Sequence, residues 1–225
     1  MKSGWSLSAS FYDEISYSKL MHDIDGYTNG FLAGSGKLKD SIVLDFGAGT
    51  GNMGFKLVEA GAKKVIAIEN DPIMLKILHS KRKKKEKYQE RIDVIEKSMY
   101  DGIFDDIKNQ RFDVQLFRRC LYGTEENVRH LLSESFNNLN ENGIMFIVHP
   151  EADSTKYFSD GFGGIAISHV LKWYISNLGK MLGMEYNRYT QNQLEIICKE
   201  SCPDSQIDNY PAIRPAYNIL TISKR

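Results

Sequence analysis

Positions 43–54 read VLDFGAGTGNMG, an apolar run followed by an acid, Asp45, and by glycines at 47, 49 and 51. Glycine lets the backbone turn with φ > 0 and touch a ligand where a Cβ would block the approach. Such a turn, leading into the N-terminal amides of a helix, makes a pocket for a nucleoside-containing cofactor at the carboxyl end of a strand. Gly49-Thr-Gly51-Asn-Met-Gly54 also fits the GxGxxG dinucleotide fingerprint, and Glu69 follows Gly49 by twenty residues, as that fingerprint expects. A carboxylate as early as Asp45, however, would face the pyrophosphate of a dinucleotide. It suits a ligand with a cationic head group instead.

S-adenosylmethionine carries an ammonium and a sulfonium and has no phosphate. Asp45-Phe-Gly47-Ala48-Gly49-Thr-Gly51 resembles motif I of the class I S-adenosylmethionine-dependent methyltransferases. The resemblance runs over about 42–150 and implies roles residue by residue. Backbone at Gly47, Ala48, Gly49 and Gly51 would line the amino-acid half and ribose of the cofactor. Asp45 would receive the ammonium, directly or through water. Glu69, ending an apolar run, would accept both ribose hydroxyls, with Asn70 beside the ribose or adenine edge and Met74 near the base. Relatives often place an acid at the end of the third strand to accept from the adenine amine. This chain has Ser98 and Met99 there, with Asp101 as a fallback. FDVQLFRRCLYG resembles motif IV, which puts Phe117, Arg118 and Arg119 closest in sequence to the transferred methyl group. An arginine beside a sulfonium is unusual, and binding an anionic substrate is one reading of it. Cys120 reads as a small buried thiol.

Methyl transfer needs a nucleophile held about 3 Å from an already activated carbon and water kept out. A general base is required only for an unactivated hydroxyl or a protonated amine. His149, at the end of the fifth strand, and His22, in the N-terminal segment, are the candidate bases. Phe11-Tyr12-Asp13 resembles the opening of small-molecule methyltransferases, in which a helix precedes motif I and folds over the cofactor. Tyr12 and Tyr17 are therefore expected as lid aromatics, with a cation–π attraction to the sulfonium of about 1–2 kcal/mol.

The elements that must position these residues alternate. Strands are expected at 42–46, 64–69, 92–96, 113–118 and 143–149, and helices at 17–32, 52–60, 72–88, 101–108 and 125–139. Asp71-Pro72 and Thr124-Glu125-Glu126 read as helix starts, and Asn142-Gly143 as a helix end. Alternation implies βαβ units and a parallel sheet covered on both faces. Helical spacing recurs within 165–183 and 191–199, and strand-like runs at 206–213 and 216–223 suggest a terminal antiparallel hairpin. The expected fold is α/β: a three-layer, doubly wound, mostly parallel seven-stranded sheet with a C-terminal antiparallel hairpin and an N-terminal helical lid. Residues 1–225 read as a single domain, with a lid segment at 1–40, a cofactor-binding core at 41–150 and a substrate side at 151–225.

Basic and acidic residues balance at 29 each, which argues against a broad nucleic-acid footprint. The run Lys81-Arg-Lys-Lys-Lys85 with Lys87 reads as a solvated helix end. Three cysteines, Cys120, Cys198 and Cys202, lack framework spacing and fit free thiols in a reducing cytosol; no metal site is expected. The opening MKSGWSLSASFYDE has no apolar h-region, and the apolar stretch 165–184 carries His169, Lys172 and Lys180, so neither a signal peptide nor a membrane span is expected. Together these readings predict a cytoplasmic enzyme methylating O, N or C of a small molecule, with no nucleic-acid or membrane partner. Two alternatives stay open: a non-catalytic adenosyl-binding protein, and an NAD(P)-dependent oxidoreductase using Gly49, Gly51 and Gly54.

Overall fold

The computed structural model describes residues 19–108, 110–150, 189–210 and 217–224. Within them the chain forms α1 (Lys19–Gly34), β1 (Ile42–Phe46), α2 (Asn52–Glu59), β2 (Lys64–Glu69), α3 (Pro72–Arg82), α4 (Glu86–Arg91) and β3 (Ile92–Glu96). It continues with α5 (Ile103–Asp106), β4 (Phe112–Arg118), α6 (Glu125–Asn137), β5 (Leu139–Pro150), α7 (Gln191–Ser201), β6 (Ser205–Tyr210) and β7 (Tyr217–Lys224). The strands make one seven-stranded sheet of order β3-β2-β1-β4-β5-β7-β6. The first five run parallel; β7 pairs antiparallel with both β5 and β6. The seven-stranded α/β architecture with its antiparallel C-terminal strands is therefore as the sequence implied.

Strand order reverses at β1, whose neighbours are β2 and β4. In an open α/β sheet a crevice opens at the carboxyl ends of strands at such a point. β1 is buried from Val43 to Phe46 because helices cover both faces, which is why its sequence is an apolar run rather than an alternation. Leu57, Val58 and Met53 of α2 pack on the face shared by Val43, Val65 and Val114. Val128, Leu131 and Leu132 of α6, with Leu194 and Ile197 of α7, pack on the face shared by Leu44, Phe46 and Phe117.

Three helix starts follow their local chemistry. Asp71 Oδ1 accepts from the amides of Ile73 (2.9 Å) and Met74 (3.1 Å) ahead of Pro72. Thr124 accepts from the Asn127 amide, and Thr190 with Gln193 forms a capping box. Each satisfies amide groups that a helix leaves without an internal partner.

The structure departs from the sequence reading in three places. The helix expected over 72–88 breaks into α3 and α4, with Lys85 in extended conformation at the join. The break sets the Tyr88 ring on Phe55 of α2, with centroids 4.7 Å apart. Lys87 and Lys85 then reach Glu59 at 2.5 and 3.3 Å, so part of the basic run forms an exposed ion-pair cluster. Second, the helix expected over 101–108 shrinks to the single turn of α5. Third, Asn142-Gly143 does not end a helix: α6 stops at Asn137, and Gly143 lies inside β5, where the register with β4 shifts. A Cβ at Gly143 would lie 2.7 Å from Leu139 Cγ and 2.9 Å from the Phe112 carbonyl oxygen, so glycine serves the close strand approach there.

Among the described residues no helix is long and apolar enough to cross a membrane, and no group of His, Cys, Asp or Glu is placed to hold a metal ion. Cys198 and Cys202 are free and buried in the core, and burial pushes the Cys202 thiol up to about 12.

Candidate cofactor and acceptor site

A cleft of about 650 Å³, counting the part open to solvent, lies at the carboxyl ends of β1, β2, β3 and β4. Gly47 and Gly49 form one wall, and Ile68, Glu69, Asn70, Asp71 and Met74 a second. Lys97 and Met99 follow β3, and Arg118, Arg119, Cys120 and Tyr122 close the β4 side.

Gly47, Gly49 and Gly51 all have left-handed φ, at 62, 58 and 80°. The need for glycine is sharpest at Gly47, where a Cβ would sit 2.7 Å from the Cys120 Cβ. Gly51 stands at the N-cap of α2, wedged against Leu78 and Phe55, so it shapes the turn rather than lining the cleft. Ala48 is also turned inward, and its amide donates to the Ile68 carbonyl at 3.0 Å.

Glu69 links the two walls. Its Oε2 accepts from the Gly49 amide at 2.7 Å, and its Oε1 accepts from the amides of Asn70 and Asp71, both at 2.9 Å. Three backbone donors fix the carboxylate at the cleft wall, and its remaining lone pairs can accept from ligand hydroxyls. The donor set fits the ribose of a nucleoside-containing cofactor such as S-adenosylmethionine. Met74 and Met99 add the apolar surfaces that suit an adenine ring.

Asp45 is 1% exposed and does not line the cleft. Its Oδ2 is buried with no hydrogen-bond partner among the described residues. Burial pushes its carboxyl up to about 6 against the pull of the Arg118 guanidinium, with Asp25 and Glu69 acting in the same direction as burial. Arg118 lines the cleft and forms an ion pair with Asp25 of α1, whose other oxygen accepts from Lys56 at 2.7 Å. Burial acts to raise the Asp25 carboxyl, but Arg118 and Lys56 outweigh it and hold it below the usual carboxylate range.

Other expected site residues fall elsewhere. Phe117 is fully buried and stacks on Phe46 at 4.4 Å, one strand position short of the cleft. The Ser98 hydroxyl accepts from the Tyr100 amide at 3.2 Å, and its side chain is not part of the cleft wall. His149 is fully buried, and its Nε2 accepts from the Tyr189 amide at 3.4 Å. Tyr122, with its ring 5.8 Å from that of His149, lines the cleft, whereas His149 does not. His22 falls in α1, while Tyr12 and Tyr17 lie outside the described residues, as do the segments 151–165 and 165–183.

Four residues that line the cleft were not anticipated: Ile68, Asp71, Lys97 and Tyr122. Asp71 was legible only as a helix cap. Lys97 and Tyr122 stand beside expected positions at the ends of β3 and β4, so strand-end proximity was the available signal.

With this geometry established, comparison with known proteins adds the class. Residues 43–143 match a family model described as a methyltransferase domain. Solved structures share the fold at low identity. Magnesium protoporphyrin IX methyltransferase from Synechocystis PCC 6803, bound to S-adenosylhomocysteine, aligns with a TM-score of 0.67 at 11% identity, over 99% of this chain and 96% of that one. The CcbJ methyltransferase from Streptomyces caelestis aligns at 0.63 and 12%, over 87% and 88%. A putative rRNA methylase from Clostridium thermocellum aligns at 0.58 and 14%, over 88% and 94%. No curated protein matches the sequence. Residues 43–143 thus match a methyltransferase domain, and the chain shares its fold with methyltransferases of solved structure.

Proposed function

We propose that this chain methylates a small molecule, with Gly47, Gly49, Glu69, Asn70, Met74 and Met99 holding the cofactor. The observation that carries this reading is the Glu69 carboxylate, fixed by three amides at the wall of a glycine-lined cleft. When bound, S-adenosylmethionine supplies an activated methyl group and a good leaving group. The protein has to bind, orient and exclude water. Glu69 positions the ribose through its free lone pairs. The β1 turn accommodates the ammonium end, with Asp45 buried behind it. Tyr122, Cys120 and Arg119 face the place where an acceptor enters. His149 acts from behind Tyr122 as a positioning residue. Residues 1–40 serve as the lid segment and 151–225 as the acceptor side of a single domain, working in the cytoplasm. A balanced charge of 29 basic and 29 acidic residues favours a small acceptor over a nucleic acid.

Calorimetric titration with S-adenosylhomocysteine beside NADH tests the cofactor half of the reading. Micromolar binding of the first and none of the second is the expected result. NADH binding alone would overturn it. A screen of purified small molecules, scored by S-adenosylhomocysteine release, tests the acceptor half.

A further inference from the structure

We infer that Tyr100 and Tyr189 are positioning residues for methyl transfer, gripping the Gly123 peptide from both sides and so fixing the cleft wall formed by Arg119, Cys120 and Tyr122; this deepens the methyltransferase reading above and rests on it. That wall belongs to the loop 119–124, which joins β4 to α6. A loop has no ladder or helix to satisfy its backbone, so its peptides need partners from elsewhere. At the start of the loop the Arg119 amide donates to the Val148 carbonyl at 2.8 Å. In the middle the Tyr122 amide donates to the Cys120 carbonyl at 2.9 Å, which makes a tight three-residue turn. At the end the Gly123 amide donates to Tyr100 Oη at 3.0 Å, and the Tyr189 hydroxyl donates to the Gly123 carbonyl at 2.7 Å. Tyr100 follows β3 and Tyr189 precedes α7, so phenols 23 and 66 residues away meet on one peptide.

The sequence is adapted to this grip. A Cβ at Gly123 would lie 2.7 Å from Tyr100 Cζ and 2.9 Å from its Oη, so glycine is what lets the phenol reach the amide. Tyr189 is buried and is itself held, its amide donating to His149 Nε2 at 3.4 Å. Burial, with the Cys120 thiol alongside, keeps the Tyr100 phenol above its usual range, and burial raises that of Tyr189, so both keep their protons. The gripped loop also abuts the cofactor side of the cleft. The Cys120 Cβ stands so close to Gly47 that a Cβ there would lie 2.7 Å from it. A shift of the loop therefore changes the space between the β1 turn and the acceptor wall. Misplacement of reacting groups by about 1 Å can cost 100-fold in rate. Removing either hydroxyl leaves one half of the Gly123 peptide without that partner, and the loop opens more often.

The test is iodoacetamide labelling of the full chain, resolved by peptide mass spectrometry, in the wild-type protein, Tyr100→Phe and Tyr189→Phe. The free cysteines report separately: Cys120 is partly exposed on the gripped loop, whereas Cys198 and Cys202 are buried in the core. Each variant should label at Cys120 about five-fold or more faster than the wild-type protein, with Cys198 and Cys202 unchanged. Tyr88→Phe, which removes a phenol from Glu59 in the exposed ion-pair cluster, should leave the Cys120 rate as it is. An unchanged Cys120 rate in either loop variant would overturn the inference. Equal acceleration of all three cysteines would overturn it too, because that reports general loosening. Should a variant not fold, hydrogen exchange in the wild-type protein decides: the Gly123 amide should exchange about ten-fold or more slowly than an unprotected peptide, and unprotected exchange would overturn the grip. With an acceptor from the release screen, turnover should fall about ten-fold or more in both variants while S-adenosylhomocysteine affinity changes less than about three-fold. Unchanged turnover would overturn the positioning role. Failure of the wild-type protein to bind S-adenosylhomocysteine at all would instead remove the methyltransferase reading on which the inference stands.

Discussion

Asp25 of α1 and Arg118 at the end of β4, 93 residues apart, form an ion pair with side chains only 12% and 17% exposed. Lys56 of α2 completes the cluster on the second Asp25 oxygen. The pair fastens the helix that precedes β1 to an arginine of the cofactor cleft. Removing one partner of such a pair leaves the other charge partly buried without compensation. Asp25→Ala should therefore lower folding stability by about 3 kcal/mol. Lys56→Ala, at a more exposed position, should lower it by less than about 1 kcal/mol. Urea unfolding of both variants measures the difference.

Glu69→Ala should weaken S-adenosylhomocysteine binding by roughly 1–3 kcal/mol, because the ribose hydroxyls lose a charged acceptor. The same change strips the acceptor from the amides of Gly49, Asn70 and Asp71, so a modest loss of stability should accompany it. Calorimetry and thermal unfolding on one sample separate the two effects. Unchanged affinity would take Glu69 out of the site.

The Asp45 carboxyl titrates near 6 in the folded protein, against about 3.8 when unfolded. Its protonated form is favoured by folding, so its contribution to stability is complete below pH 4 and is lost as the pH rises through about 6. The loss at neutral pH is on the order of 3 kcal/mol. Asp45→Asn, which stays neutral, should thus gain stability relative to the wild-type protein between pH 4 and pH 7. Parallel urea titrations across that window check the sign.

Gly47→Ala should destabilise by about 1–3 kcal/mol, since alanine is strained at a left-handed φ and its methyl would collide with the Cys120 Cβ. Adding Cys120→Gly should recover part of that loss by removing the collision, while the backbone strain remains. A double-mutant cycle measures the recovery.

His149→Phe should reduce stability by about 1 kcal/mol or more, because the Tyr189 amide loses its buried acceptor. If His149 only positions Tyr122, the pH profile of turnover should keep its shape in this variant. A lost limb in that profile would reinstate the histidine as a base.

The β1 turn and Glu69 were legible in the sequence because both are local patterns: an apolar run, spaced glycines, and an acid at the end of the next apolar run. The break between α3 and α4 was not, since it depends on Tyr88 meeting Phe55, a contact between separate elements. Phe117 was placed one position off target because proximity in sequence to motif IV says nothing of which way a strand residue points. Its stacking on Phe46 turns it to the core and leaves Arg118 and Arg119 at the cleft. The Asp25–Arg118 pair spans too much chain for any periodicity to reveal it.

The position of β7 has a consequence for synthesis. Because β7 lies between β5 and β6, the fifth strand cannot be enclosed until residues 217–224 have left the ribosome. Until then Ile144, Met145, Phe146, Ile147 and Val148 present an unpaired, wholly apolar edge, the kind of surface that recruits a second copy of itself. A nascent chain halted before position 217 should therefore depend on a chaperone, and its release should end that dependence within one strand's length.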